Sequence, residues 1–268
     1  MKPPFRRFGA KVMLAKHIIA MLPEHEHYVE PFAGSGAVLF AKPRSRQETL
    51  NDLDGQIVRF FRTLRDRTDD LVAAVELTPY ARAEYEAALE LTDDDVEAAR
   101  RFVVRSVMCV GNDRTGGWSA TIRRGAVGAS RSRRWQLMPE RLAACADRLI
   151  GVQIECRPWD DILERFDLPG VVMFVDPPYM AETRAQTIGA YEHEMTDEDH
   201  GRLIEALRGL KRASAVVTHY PHPLYDSLGW HYCDIAVHAD SATSRGRAER
   251  TERIYASHPV AHTLWSAS

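Results

Sequence analysis

The stretch GVVMFVDPPYMAE, residues 170 to 182, decides the fold class. Val171-Val172-Met173-Phe174-Val175 has the length and the β-branched and aromatic content of a strand buried on both faces, which predicts a central parallel strand. Pro177 and Pro178 cannot donate ladder hydrogen bonds, and each holds the residue before it extended, so the strand stops at Asp176. A stiff loop then stands at a strand's carboxyl end, the edge at which open α/β sheets bind ligands. The loop offers Asp176 as an acceptor, fixes a proline carbonyl beside it and leaves the Tyr179 ring as a flat surface. Read alone, DPPY is equally a strand end followed by an Asp-capped turn.

Length and composition narrow the class. A chain of 268 residues, 45% hydrophobic and 27% charged, can bury a real core and fits one large domain or one domain with an insert. No apolar run reaches bilayer length, and MKPPFRRFGAKVML lacks an apolar signal core, so a cytoplasmic location without membrane contact is expected. Cys109, Cys145, Cys156 and Cys233 form no C-x-x-C pair, so they read as buried small hydrophobes rather than a disulfide framework or a zinc cluster. The net charge of -3 gives no global sign of a nucleic-acid partner, though a sum can hide a local patch.

Strand-like and helix-like segments alternate, the pattern of a parallel sheet covered by helices. Strands are expected near Tyr28 to Phe32, Glu48 to Asn51, Val152 to Cys156, Val171 to Val175, Ala213 to Thr218, Trp230 to Val237 and Arg253 to Ser257. DGQIVRFFRTLRDR places Ile57, Val58, Phe61 and Leu64 at helical spacing behind an Asp54 cap, and TDEDHGRLIEALRGL starts at Thr196 with an acidic first turn. TDDDVEAAR, residues 92 to 100, reads as another helix start. From about Asp69 to Leu149 the rhythm breaks into a mostly helical stretch that holds GNDRTGGWSATIRRGAVGASRSRRWQ, an insert in the α/β domain.

YVEPFAGSGAVLF, residues 28 to 40, sets a strand, a Gly-rich turn and an apolar helix in order, so Gly34 and Gly36 let the backbone approach a nucleotide-like ligand at the helix N-terminus. Asp52 in LNDLD follows about twenty residues on, where a carboxylate can accept from ribose hydroxyls. The third glycine of G-x-G-x-x-G is replaced by Leu39, which disfavours NAD and favours an adenosine cofactor without phosphates, S-adenosylmethionine. Together the two sites read as methyl transfer to an exocyclic amine. Asp176 and the Pro177 carbonyl accept its two N–H hydrogens and stabilise the positive charge that develops on nitrogen, Pro178 stiffens the loop and Tyr179 stacks on the base. A base inside a duplex must first be flipped out to reach such a pocket.

The chain resembles the Dam-like class of DNA adenine-N(6) methyltransferases, particularly the short phage and bacterial members. RRFGAK, YVEPFAGSG, LNDLD, FVDPPY, YEHEMTDEDHGRLIEAL, YPHPLYD and RTERIYAS carry the resemblance in order, from about Phe5 to Ser257. It implies a Rossmann-like S-adenosylmethionine-dependent methyltransferase fold of class α/β, with residues 1–68 and 150–268 as catalytic domain and 69–149 as a mostly helical target-recognition insert. It implies cofactor contacts from Arg7, Lys11, Asp52, Asp176 and the Glu30-Pro31-Phe32 stretch with Gly34 and Gly36, and catalysis by Asp176, Pro177, Pro178 and Tyr179. Arg7 stands where members often place an aromatic residue, Ala10 where a glycine is usual, and Pro158 in CRPWDD where many have an aspartate; Trp159 beside it is a candidate to cover the adenine ring. Double-stranded DNA is the implied partner, with a restriction endonuclease as a further one, for a chain acting as a monomer or weak dimer.

Within the insert, Asn112 to Trp135 holds six arginines, Arg114, Arg123, Arg124, Arg131, Arg133 and Arg134, against one acid, Asp113, a balance of +5. These arginines, with Trp118 or Trp135 packing on sugar or an unstacked base, are the candidate DNA contacts, weighed against a merely solvated arginine loop. His219 and His222 are weak metal evidence without further ligands, and no metal is expected. An RNA or other amine methyltransferase, a catalytically silent DNA-binding relative and an NAD-dependent oxidoreductase remain as alternatives.

Overall fold

The computed structural model describes residues 1–5, 11–110, 117–119, 131–180, 194–238 and 249–260. Along the chain these form α1 (Ala15–Met21), β1 (His27–Glu30), α2 (Ala37–Ala41), β2 (Gln47–Asn51), α3 (Gly55–Asp66), α4 (Thr68–Glu76), α5 (Arg82–Ala87), α6 (Asp95–Met108), α7 (Arg131–Gln136) and α8 (Met138–Leu149). They continue with β3 (Val152–Glu155), α9 (Trp159–Arg165), β4 (Val171–Val175), α10 (Asp197–Arg208), β5 (Ser214–His219), α11 (Pro223–Asp226), β6 (His231–His238) and β7 (Glu249–Ala256). All seven expected strands are present, most with ends shifted by one or two residues.

Among the described residues the strands form a sheet in the order β3-β2-β1-β4-β5-β7-β6. The pairs β1–β2, β1–β4 and β4–β5 are parallel, and β7 lies antiparallel between β5 and β6. The chain winds outward in both directions from β1 and β4, so the switch point of this Rossmann-like sheet falls between the strands that end in Glu30 and Val175. Every residue of β1 and β4 is buried, as a strand covered on both faces requires. On one face Val29, Val171, Met173, Val175, Ala215 and Val217 pack with Ile162 and Leu163 of α9, Leu203, Ile204 and Leu207 of α10, and Tyr225 of α11.

The chain divides into two compact units. The α/β unit comprises Met13–Ala33, Lys42–Leu53 and Glu155–Ser268. Its α10 begins in a capping box: the Thr196 side chain accepts from Asp199 N–H while the Asp199 side chain accepts from Thr196 N–H. The other unit comprises Met1–Val12, Gly34–Ala41 and Asp54–Ile154, so it takes in α2 and α3 as well as the 69–149 stretch. Asp54 caps α3 by accepting from Gln56 N–H at 2.9 Å, and Asp94 caps α6 by accepting from Glu97 N–H at 2.7 Å. The core of this unit is aromatic: Phe5 meets Phe102 edge-on at 4.7 Å and Phe60 at 5.1 Å between ring centroids. Arg148, buried in the same unit, donates to the Leu39 carbonyl at 2.9 Å and so satisfies one carbonyl of short α2.

Two expectations change. Cys109 and Cys145 are buried, but Cys156 is exposed and Cys233 half-buried, because they lie at a strand end and on the antiparallel hairpin rather than inside a helix packing face. Trp135 is a core residue of the helical unit, 6% exposed, with its indole N–H donated to the Thr78 carbonyl at 2.8 Å. It has no face to offer a sugar or a base. Among the described residues no helix is long and apolar enough to cross a membrane.

Candidate active site

Parallel strands deliver their carboxyl ends to one edge of the sheet, and in the α/β unit that edge collects Glu30, Asn51, Asp176 and His219. Asn51 ties three loops together there. Its side-chain N–H₂ donates to the carbonyls of Pro31 at 2.8 Å and Arg157 at 3.0 Å, its side-chain oxygen accepts from Arg157 N–H at 2.9 Å, and its own carbonyl accepts from Ala33 N–H at 2.8 Å. Those partners assign the amide orientation. Glu30 is buried and accepts from the Tyr28 hydroxyl at 2.9 Å. Pro31 is buried, Phe32 half-buried against the apolar cluster, and Asp52 half-buried one residue beyond Asn51. Trp159, the first residue of α9, is also half-buried, packed on the same cluster with the Arg202 guanidinium 5.6 Å from its ring centre.

The catalytic candidate loop leaves the centre of the sheet. Asp176 is half-buried, while Pro177, Pro178, Tyr179 and Met180 are buried. The Thr218 hydroxyl donates to Asp176 Oδ1 at 2.8 Å. Four residues later Met180 N–H donates to His219 Nε2 at 3.2 Å, and His219 Nδ1 sits 2.8 Å from the Tyr220 carbonyl. Both contacts are satisfied by a neutral imidazole protonated on Nδ1. The His219 ring stacks on Tyr225 at 4.0 Å and 10°, and the Tyr225 hydroxyl pairs with His200 Nδ1 at 2.8 Å. Burial, with the Asp176 carboxylate and Tyr255 adding to it, holds the Tyr225 phenol well above its ordinary value, so it stays neutral.

Tyr179 differs from the sequence expectation of a free flat ring. It is 7% exposed, lies 4.7 Å from both the His219 and Tyr220 rings, and donates its hydroxyl to Glu252 Oε2 on β7 at 2.8 Å. Here the ring anchors the loop, because His219 at the end of β5 and Tyr220 just after it pack their rings against it. His219 and His222 also have work other than metal binding: His222 caps α11 by accepting from Leu224 N–H. Among the described residues no group of three or more His, Cys, Asp or Glu side chains could hold a metal ion.

In the helical unit, Gly34 and Gly36 precede α2 with φ of 50° and 65°, the left-handed region that favours glycine. A Cβ on Gly34 would stand in open space, whereas one on Gly36 would come within 3.0 Å of the Phe40 ring. Lys11 is buried. Two DNA-contact candidates are occupied internally: Arg131 donates to the Cys109 carbonyl, and Trp118 packs against Tyr80 at 4.9 Å with Arg82 over its ring. The isolated bridge Cys109↔Trp118 holds Trp118 against the residue that caps the end of α6. Arg133 is exposed and Arg134 half-buried on α7. Arg7, Arg114, Arg123 and Arg124 lie outside the described residues.

The strand-end edge of the α/β unit carries the Asp-Pro-Pro-Tyr loop at its switch point. The sequence model of the D12 class N6 adenine-specific DNA methyltransferases matches residues 8–234. The chain belongs to this family. It is an enzyme that methylates adenine in DNA, with S-adenosylmethionine as methyl donor. The enzyme is 24% identical over 270 residues to the Type II methyltransferase M1.LlaDCHI of Lactococcus lactis subsp. cremoris, covering 93% of this chain and 91% of that protein. It is 23% identical over 225 residues to the DNA N-6-adenine-methyltransferase of Escherichia phage P1, covering 80% of this chain and 29% of the phage protein. Among solved structures, an SAM-dependent methyltransferase from Agrobacterium tumefaciens aligns with a TM-score of 0.37 at 8% identity, over 92% of this chain and 61% of that one. Four residues of the enzyme's sheet edge escaped sequence reasoning in these roles: Asn51, Thr218, His219 and Glu252. Asn51 lies inside LNDLD and Glu252 inside RTERIYAS, but neither motif marks them for these roles.

Proposed function

We infer that Asp176 and the Pro177 carbonyl accept the two N–H hydrogens of a flipped adenine and thereby stabilise the charge that develops on its nitrogen during methyl transfer. The observation that carries this reading is Asp176 half-buried at the switch point, with one carboxylate oxygen already oriented by the Thr218 hydroxyl. The buried prolines fix the carbonyl beside it, and Tyr179 holds the loop through Glu252.

S-adenosylmethionine supplies an electrophilic methyl group when bound. The residues fit it: Asp52 offers a half-buried carboxylate to ribose hydroxyls at the end of β2, and the Glu30-Pro31-Phe32 stretch is fixed at the end of β1 by Asn51. Trp159 presents a half-buried ring to an adenine. Gly34, Gly36, Lys11 and Arg7 take the same role by their match to the motif. For DNA, Arg133 and Arg134 on α7 join Arg114, Arg123 and Arg124 as phosphate or base contacts, and the 69–149 stretch serves target recognition. Likeness to a Type II methyltransferase supports a place opposite a restriction endonuclease, and the substrate supports a cytoplasmic location.

Incubating the protein with labelled S-adenosylmethionine and unmethylated plasmid DNA, then mapping the modified bases, tests the reading. Label on N6 of adenine at a repeated short sequence is expected, absent with Asp176→Ala. Label retained by that variant, or found only on RNA, contradicts it.

A further inference from the structure

We propose that Thr218 and His219, consecutive residues at the end of β5, are positioning residues that form a two-point clamp on the catalytic loop. This rests on Asp176 being the acceptor for the adenine amine. Thr218 grips the loop at its first residue through the Asp176 carboxylate, and His219 grips it at Met180 through the backbone N–H.

Strand geometry makes the clamp possible. Successive side chains of a strand point to opposite faces, so two adjacent residues can hold one loop from two sides without competing for space. Their backbone is stiff, because β5 is paired on both flanks: Val217 with Val175 of β4, and Thr218 and His219 with Ile254 and Arg253 of β7. The loop in turn has few places to be held. Pro177 and Pro178 have no N–H, so after Asp176 only Tyr179 and Met180 carry backbone donors within the Asp176–Met180 segment. His219 takes the second of these.

The acceptor nitrogen is itself fixed. Nδ1 of His219 faces the Tyr220 carbonyl at 2.8 Å, which places its proton there and turns the Nε2 lone pair to Met180. The ring cannot swing away, because Tyr225 stacks on it at 4.0 Å and is paired through its hydroxyl with His200 of α10. A column from α10 through Tyr225 and His219 thus reaches the loop, while Thr218 sets the rotation of the carboxylate. Neither residue needs to touch substrate. Their effect falls on the geometry in which Asp176 meets the amine, and therefore on kcat rather than on the binding of either substrate.

The test is steady-state and single-turnover kinetics on Thr218→Val, which keeps the shape and removes the hydroxyl, and on His219→Phe, which keeps the stacked ring and removes the acceptor. Thr218→Ser and His219→Gln serve as conservative rescues, and Asp176→Asn as the control for the underlying reading. Thr218→Val is expected to lower kcat about 10- to 100-fold with both KM values changed less than about twofold, Thr218→Ser to recover most of it, and His219→Phe to lower kcat about tenfold with partial recovery in His219→Gln. Unchanged kcat in Thr218→Val, or a loss that appears in KM alone, overturns the clamp; should His219→Phe fail to fold, Thr218→Val and its serine rescue decide it. Full kcat in Asp176→Asn would instead overturn the assignment on which the clamp depends.

Discussion

The strand-end edge of the α/β unit and the helical unit handled the same kind of sequence evidence in opposite ways. At the strand ends, residues chosen for their chemistry stayed at the edge: Asp52 and Asp176 are half-buried there, and the groups that support them come from neighbouring strands. In the helical unit, residues chosen for composition were partly absorbed into the fold: Trp135 into the core, Trp118 against Tyr80, Arg131 onto the Cys109 carbonyl. The difference lies in what each signal encodes. A strand that stops at a proline must present its end at a defined edge, so the motif specifies position as well as chemistry. A run rich in Arg and Trp specifies only chemistry, because a tryptophan gains more from burial than from exposure and an arginine can satisfy a carbonyl as readily as a phosphate.

That contrast can be broken first at Trp135. Trp135→Ala should cost about 3 kcal/mol or more of stability, read as a fall in the denaturant midpoint, while the folded fraction binds DNA with unchanged affinity. A weaker DNA affinity with unchanged stability would return Trp135 to the interface. Asn51→Ala probes the opposite region and should cost about 2 kcal/mol, since buried Asn51 leaves the Pro31 and Arg157 groups unpaired. Its methylation rate should fall as well, which thermal melts and kinetics on the same preparation would register. Asp52→Ala sharpens the cofactor side: calorimetry should show S-adenosylmethionine binding about tenfold weaker, roughly 1.4 kcal/mol, with the melting midpoint unmoved.

The smallest effect is electrostatic and belongs to the helical unit. Glu97 accepts from Arg100 and Arg101 at 2.6 Å each, and the Arg100 hydrogen bond leads in holding its carboxyl down at about 2, against an ordinary 4.5, with burial opposing. A depressed folded value means the contribution is fully present above the unfolded value of 4.5 and lost as pH falls through about 2. Unfolding midpoints measured across that window should decline less steeply in Glu97→Gln than in the unchanged protein; parallel declines would show that the ion pairs add nothing.

Much of the fold was legible because its signals are local. The runs Val171 to Val175 and Ala213 to Thr218, the Asp54 cap, the helix starts at Thr196 and in residues 92 to 100, and the glycine turn before α2 each rest on residues a few positions apart. The support of the active loop was not legible, because it is made across the sheet: Thr218 stands 42 positions from Asp176, and Glu252 stands 73 from Tyr179. His219 read as weak metal evidence and Thr218 as the end of a strand, and only the parallel pairing of β4 with β5 gives them their shared partner. Asn51 is not legible beside Asp52, because an asparagine at a strand end has the same local appearance as a turn residue.

The most direct test is the single-turnover rate of methyl transfer to adenine in Asp176→Asn, with S-adenosylmethionine affinity measured on the same protein. A rate lowered about 100- to 1000-fold with cofactor binding retained is predicted, since one preorganised acceptor is removed and the loop otherwise kept. A single-turnover rate equal to that of the unchanged protein would contradict the account, and would move the chemistry away from the end of β4.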